Sequence, residues 1–325
     1  MTLPFVSVII PTFNRGALLE GTIRSFLTQK YPHDRFEILV ADNNSTDNTK
    51  RVVERFQGGA VSVRYHFEPR QGVHYARNGA ASIAVGDILY FTDDDMIADS
   101  LLLAEITAVF RLDDRIGCAT GKVMPKFAVE PPAWVGRCLV NSLLSLTAYD
   151  REEELEVTRA CIAYSCHQAI LREAFFTSGG FNPENTAGVW IGDGETGLNL
   201  KLRAQGWLFA YTSRSLIYHV IPPERMTLGY LMKRMSNQAN CDSCTDYRFH
   251  RQRWGILPRM LRRNTLGIAR VALETILKIA AKKESWHFIP ARCLYFARRN
   301  SYDIKLLLDG DFKALVERDD WIEKS

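Results

Sequence analysis

Apolar residues fall in short blocks through the first third of the chain, and polar turn residues end each block. Phe5 to Ile10 is an apolar, β-branched run halted by Pro11-Thr12-Phe13-Asn14-Arg15, which predicts a buried strand followed by a loop. Ala17 to Leu27 then places Leu18, Leu19, Ile23, Phe26 and Leu27 at helical spacing. The unit repeats. Glu37 to Ala41 reads as a strand, and Asp42 to Asp47 as a polar turn that caps a helix over Thr49 to Phe56. Val61 to Phe67 is a third strand, with a helix over His74 to Val85. Ile88-Leu89-Tyr90-Phe91-Thr92 is a fourth, ended abruptly by Asp93-Asp94-Asp95. Largely apolar strands alternating with helices predict an α/β fold with a mostly parallel sheet covered on both faces.

Ligands of such sheets bind outside the carboxyl ends of the strands. The loops Pro11 to Arg15, Asp42 to Asp47 and Asp93 to Asp95 therefore converge on one crevice. Three adjacent acids repel one another, which is tolerable in water or where a hard divalent cation sits between them and a polyphosphate. A solvated acidic turn is the plainer reading, and both stay open at this level. Neither a G-x-G-x-x-G nor a P-loop pattern follows the first strand. A nucleotide bound here is then held by side chains, loop amides and metal.

Beyond the acids, a helix is expected over Leu101 to Phe110 and a strand over Gly117 to Lys122. Met124 to Asp150, with Leu139 and Leu144, has no clear period and reads as an insertion or a mobile loop. Asp193-Gly194-Glu195 opens a helix that Gly206 closes. A carboxylate in that position serves either as a general base or as a plain N-cap. From Thr227 onward helical spacing dominates, first through Leu228, Leu231, Met232 and Met235. A second amphipathic stretch runs through Ile268, Val271, Leu273, Ile276, Leu277 and Ile279.

Composition narrows the class. With 325 residues, 46% hydrophobic and 24% charged, the chain can build a large α/β domain with an appendage. The net charge of +4 is too modest to imply a nucleic-acid partner, but Arg and Lys accumulate after Arg248. Arg259, Arg262, Arg263, Arg270, Lys278, Lys282 and Lys283 punctuate the second amphipathic stretch. That pattern fits peripheral contact with an anionic membrane, or a helical region packed on the α/β domain with a wet basic face. No secretory signal or spanning segment is expected, so a cytoplasmic protein, soluble or peripheral at the inner membrane face, is anticipated. Seven cysteines without a framework suit reduced thiols. Cys241 and Cys244 lack the second close pair of a zinc site and read as structural.

Four pieces, in this order, resemble the signature of family-2 glycosyltransferases with the GT-A fold. They are Val6 to Arg15, Val40 to Asp47, Ala76-Arg77-Asn78 and Phe91 to Asp95. The resemblance implies a GT-A domain over 1–225, with a nucleotide-binding half (1–122) and an acceptor half (123–225), and a helical C-terminal region over 226–325. It implies that Pro11, Thr12, Asn14 and Arg15 line the base and ribose pocket, that Asp42 contacts the nucleobase, and that Arg77 lies near the nucleotide. Asp93 and Asp95 take the Asp-x-Asp positions at ribose and metal, Asp94 lies near the donor, and His219 helps hold metal or diphosphate.

Gly179-Gly180-Phe181 resembles the family's GGF motif. After it, Glu195 falls in the register of the family's base, Gly194 replaces an expected Glu, and Asp193 lies one residue earlier. The base is then Glu195 or Asp193. His167 stands where Asn is common and reads as a sugar contact or pocket wall. The implied activity is inverting, metal-dependent hexosyl transfer with Mn²⁺ or Mg²⁺. The donor is a nucleoside-diphosphate sugar, a UDP-sugar, and the acceptor a hydroxyl of a glycan or lipid-linked molecule, in building a bacterial surface polysaccharide. Two rivals remain: a sugar nucleotidyltransferase, which wants a glycine-rich phosphate loop, and a non-catalytic nucleotide-sugar-binding module, which Gly194 keeps open.

Overall fold

The strands β1 (Val6–Thr12), β2 (Phe36–Asp42) and β4 (Ile88–Thr92) are buried at every position in a computed structural model. This is why their sequences are continuous apolar runs rather than alternating ones. The structure describes residues 3–137, 144–146, 154–161, 163–186, 189–250 and 255–322. Helix α1 (Gly16–Leu27) follows β1 and buries Leu19, Ile23 and Phe26, one stripe at helical spacing. Helix α2 (Thr49–Glu54) follows β2, and α3 (Val73–Ile83) follows β3 (Ser62–Phe67). These strands pair in parallel in the order β3-β2-β1-β4. Alternate residues feed two cores. Val8, Ile38 and Tyr90 face one, while Ile9, Leu39 and Phe91 face the other.

The sheet then changes character. β5 (Met96–Ala98) and α4 (Leu102–Ala108) lead into β6 (Ile116–Phe127), and α5 (Ala133–Arg137) and β7 (Leu155–Thr158) follow. β8 (His167–Leu171) precedes α6 (Arg172–Thr177) and wedges antiparallel between β4 and β6. After the small hairpin of β9 (Asn185–Thr186) and β10 (Val189–Trp190) come α7 (Gly194–Ala204) and the long β11 (Leu208–Ile221). β11 is parallel to β6 but antiparallel to β5 and β7, giving a nine-stranded mixed sheet whose paired residues are mostly parallel.

Two expectations are corrected here. The strand anticipated over Gly117 to Lys122 extends to Phe127, so the start of the stretch Met124 to Asp150 is ladder, not loop. Leu139 lies outside the described residues. β5 has no anticipated counterpart, because three residues are too few to show a period. It matters nonetheless. Its register sets His219 opposite Met96, and Val220 N–H donates to the Asp95 carbonyl at 2.9 Å.

The C-terminal part is helical: α8 (Leu228–His250), α9 (Ile256–Arg262), α10 (Ile268–Ala280), α11 (Phe288–Leu308) and α12 (Gly310–Glu317). α8 and α11 pack together, and Cys244, Tyr247, Tyr302, Leu306, Phe312 and Val316 form a core of their own. The end of the chain returns to the sheet domain. Trp321 N–H donates to the Gly179 carbonyl at 3.0 Å, and Ile322 packs against the core beneath α3 and α7.

Candidate active site

The acids at the tip of β4 are held by arginines from three elements. Arg15, at the start of α1, donates from Nη1 to Asp94 Oδ1 at 2.6 Å and from Nη2 to Asp95 Oδ2 at 2.8 Å. Arg225, in the turn after β11, donates to the same Asp95 oxygen at 2.7 Å. Arg77 on α3 donates to Asp93 Oδ1. Thr12 Oγ1 donates to Asp94 Oδ2 at 2.8 Å. Asp94 and Asp95 are thus buried and paired, so a solvated acidic turn does not describe them.

Burial dominates Asp94 and, despite Arg15, pushes its carboxyl up to about 7. Burial also opposes ionisation of Asp95, but His219, Arg225 and Arg15 together outweigh it and hold that carboxyl below the usual range. Hydrogen bonding apportions this. His219 Nδ1 lies 2.7 Å from the Leu144 carbonyl, so it carries the proton, and Nε2 accepts from Arg225 Nη1 at 2.5 Å. The guanidinium groups of Arg225 and Arg15 bring positive charge to the same Asp95 oxygen.

A divalent cation fits this tip. Asp95 Oδ1 is buried without a hydrogen-bond partner, Asp93 keeps a partly exposed carboxylate, and both offer hard oxygen. No group of three or more His, Cys, Asp or Glu side chains is placed to hold a metal among the described residues. Two carboxylates suffice for ions that complete their shell with phosphate and water oxygens.

These groups open on a cavity of about 770 Å³, within the size range of small-molecule sites. Pro11, Thr12, Arg15, Arg77, Asp93, Asp94 and Asp95 line one side. Glu195 on α7 lines it as well, and its Oε2 accepts from Ser165 N at 2.9 Å and from Ser165 Oγ. α8 supplies a wall through Lys233, Arg234, Asn237 and Cys241.

Several anticipated residues lie elsewhere. Asp193 is 1% exposed and outside the lining, with Oδ1 accepting from Asn182 at 2.7 Å and Oδ2 from Thr245 at 3.2 Å. It occupies the N-cap position of α7, but its side chain makes no cap hydrogen bond. Asp42 does not reach the cavity. Its oxygens accept from Ser45 N at 2.9 Å and Tyr65 Oη at 2.7 Å, and the neighbouring Asn43 lines the wall instead. Asn14 also stays outside, its Oδ1 accepting from Thr46 N at 2.7 Å, with φ +54 shaping the loop. His167 lies outside the cavity lining. Tyr90 Oη meets Nδ1 at 2.7 Å, Nε2 meets the Ser215 carbonyl at 3.0 Å, and burial pulls the ring down to about 4.

Glu184 was not anticipated. It lines the cavity, and its side chain fills the space a Cβ on Gly194 would need. Burial first, then the charge of Glu195, pushes its carboxyl up to about 7. Gly194 also has φ +53, a left-handed backbone that favours glycine. The acid missing at 194 in sequence is met in space by one ten residues earlier, a relation no linear motif expresses.

Known proteins resemble this chain in sequence and in fold. The sequence model of Glycosyl transferase family 2 matches residues 7–176, just over half the chain. Glycosyltransferase AglE of Haloferax volcanii is 38% identical over 95 residues, 29% of this chain and 31% of that protein. The GalNAc(5)-diNAcBac-PP-undecaprenol beta-1,3-glucosyltransferase of Campylobacter jejuni is 36% identical over 111 residues, 34% of each chain. Such matches span about a third of the relatives' own length. In three dimensions the chain is similar to the mannosyltransferase PcManGT from Pyrobaculum calidifontis, solved with GDP-Man and Mn²⁺. The TM-score is 0.58 at 19% identity, over 95% of this chain and 89% of that one. It also resembles residues 1–349 of S. aureus TarS in complex with UDP, with TM-score 0.54 at 17% identity over 93% and 91% of the two chains.

Proposed function

This chain belongs to glycosyl transferase family 2, whose members take sugar from nucleotide-sugar donors, and from that premise we propose a specific reaction. It is transfer of a hexosyl group, with inversion, from a UDP-sugar to a hydroxyl of a glycan or lipid-linked acceptor. The observation that carries the reading is the shared cavity: the arginine-bound acids of β4 and the serine-held Glu195 of α7 line the same 770 Å³ space. The lipid-linked acceptor draws on the Campylobacter relative, whose name specifies a polyprenyl-diphosphate glycan.

In this reaction the acceptor oxygen forms a bond to the anomeric carbon as the bond to the diphosphate breaks. The hydroxyl proton passes to Glu195 Oε1, while Ser165 fixes the carboxylate through Oε2. A placed general base contributes on the order of 10²–10⁴-fold. Asp193, bonded away from the cavity, is not assigned that role. Arg15, Arg77 and Arg225 bring positive charge to the side where the diphosphate lies. Asp93 and Asp95 would hold Mn²⁺ or Mg²⁺, which when bound neutralises charge on the departing diphosphate. His219 supports Asp95 from behind and reaches the cation site only if Arg225 moves off Nε2.

The test is a UDP-sugar panel assayed for donor consumption, with and without chelator, and for the anomeric configuration of the product. Consumption that the chelator abolishes, with configuration inverted, is expected. A product that retains the donor's configuration contradicts the Glu195 mechanism, and chelator-resistant turnover contradicts the metal.

A further inference from the structure

The helical rod from α9 to α10 wears its apolar side outward. Leu257, Leu261, Leu266, Leu273, Ile276 and Leu277 are each between 59% and 72% exposed, whereas soluble surfaces scatter such residues singly. The spacing makes them one stripe. Leu257 and Leu261 are one turn apart, and Leu266, Leu273 and Ile276–Leu277 follow at turn intervals. The step of five from Leu261 to Leu266 would break the row in an α-helix. Arg263–Gly267 is a π-turn, whose extra residue restores the alignment.

Ile256 packs against the C-terminal core, and the rest of the rod's attachment is largely polar. Arg263 donates to Asp303 at 2.7 Å and to Asn300 at 2.5 Å on α11, Arg259 reaches the Asp246 carbonyl on α8, and Arg292 bonds Thr275. Salt bridges and hydrogen bonds thus fasten the rod to the body, and its leucines are left over.

We propose that this face docks on the surface of an anionic lipid bilayer. Residues 256–283 contain seven Arg or Lys and a single acid, Glu274, which Arg270 pairs at 2.7 Å. Arg262, Lys278, Lys282 and Lys283 are exposed beside the stripe. Apolar residues flanked by cations suit the boundary between acyl chains and anionic headgroups. A second copy of the chain is the poorer occupant, because an isologous contact would set these cations against one another. No described helix is long and apolar enough to cross a membrane, so the contact lies along the surface. The rod packs on α11, α11 packs on α8, and α8 walls the cavity. Docking therefore orients the site relative to the membrane. It needs neither donor nor acceptor and stands apart from the reaction proposed above.

Co-sedimentation of the full chain tests it, using phosphatidylcholine vesicles with and without phosphatidylglycerol. The chain is expected to pellet with the anionic vesicles, at least about tenfold more strongly than with phosphatidylcholine alone, and less as salt rises. Leu261→Ser/Leu266→Ser/Leu273→Ser should lose at least about tenfold in partitioning at an unchanged circular dichroism spectrum. Lys278→Gln/Lys282→Gln/Lys283→Gln keeps the leucines and should lose the anionic preference. Equal partitioning of wild type and both variants, or no pelleting of the wild type, overturns the proposal. So does a dimer in lipid-free light scattering that the serine variant dissociates.

Discussion

Gly194 and Glu184 constrain each other. A Cβ at 194 meets the Glu184 side chain, and φ +53 adds backbone strain for any L side chain. Gly194→Ala is expected to cost about 1–3 kcal/mol in urea unfolding, with Glu184→Ala recovering part of it; strictly additive effects would show that the two do not touch. Glu184 also makes stability depend on pH. Its carboxyl holds a proton to about 7 in the folded chain, against 4.5 ordinarily. Between those values the folded state binds more protons than the unfolded one, so its contribution falls as pH rises. Thermal midpoints of wild type should decline relative to Glu184→Gln across that window, and parallel curves would refute the assignment. At this scale the sequence located Thr12, Arg15 and Asp93 to Asp95 at strand ends, and all of them line the cavity. Asp42 and Asn14 lie outside that lining, their short polar side chains bonding within the neighbouring loops.

Between elements, the junction of β5 and β11 does for the site what the first four strands do for the fold. It brings Arg225 to Asp95 across a sequence separation of 130 residues. Arg225→Ala leaves a buried carboxylate with Arg15 as its remaining guanidinium partner, and a loss of about 1–3 kcal/mol in chemical denaturation is expected. A loss within error would mean that Arg15 alone suffices. The apolar runs of β1, β2 and β4 made the parallel half readable, because burial on both faces writes itself as continuous hydrophobicity. The antiparallel part was not readable in the same way. β5 is too short to show a period, and β8 enters between β4 and β6 out of sequence order. On α8 the apolar positions were seen, but Lys233, Asn237 and Cys241, at successive turns of a second face, reach the cavity. Polar residues on a helix give no sequence signal that separates a pocket wall from a solvated surface.

For the molecule as a whole, the sheet domain and the C-terminal helices share one cavity, so a ligand bound there braces both. Saturation with UDP and Mn²⁺ at about a hundred times the dissociation constant should raise unfolding free energy by about 2.7 kcal/mol. A thermal midpoint unmoved at saturation would count against the cavity as the nucleotide site. The basic tail was visible in composition. That its leucines face outward was not, since periodicity shows that a helix has an apolar side without saying what that side meets. Glu195 is the group proposed to accept the acceptor's proton in a cavity whose opposite wall would hold the donor. The most direct measurement is the single-turnover transfer rate of Glu195→Gln at saturating donor, with donor affinity titrated on the same preparation. A rate lower by about 10²–10⁴-fold with affinity nearly unchanged is expected. A rate equal to wild type's would contradict it.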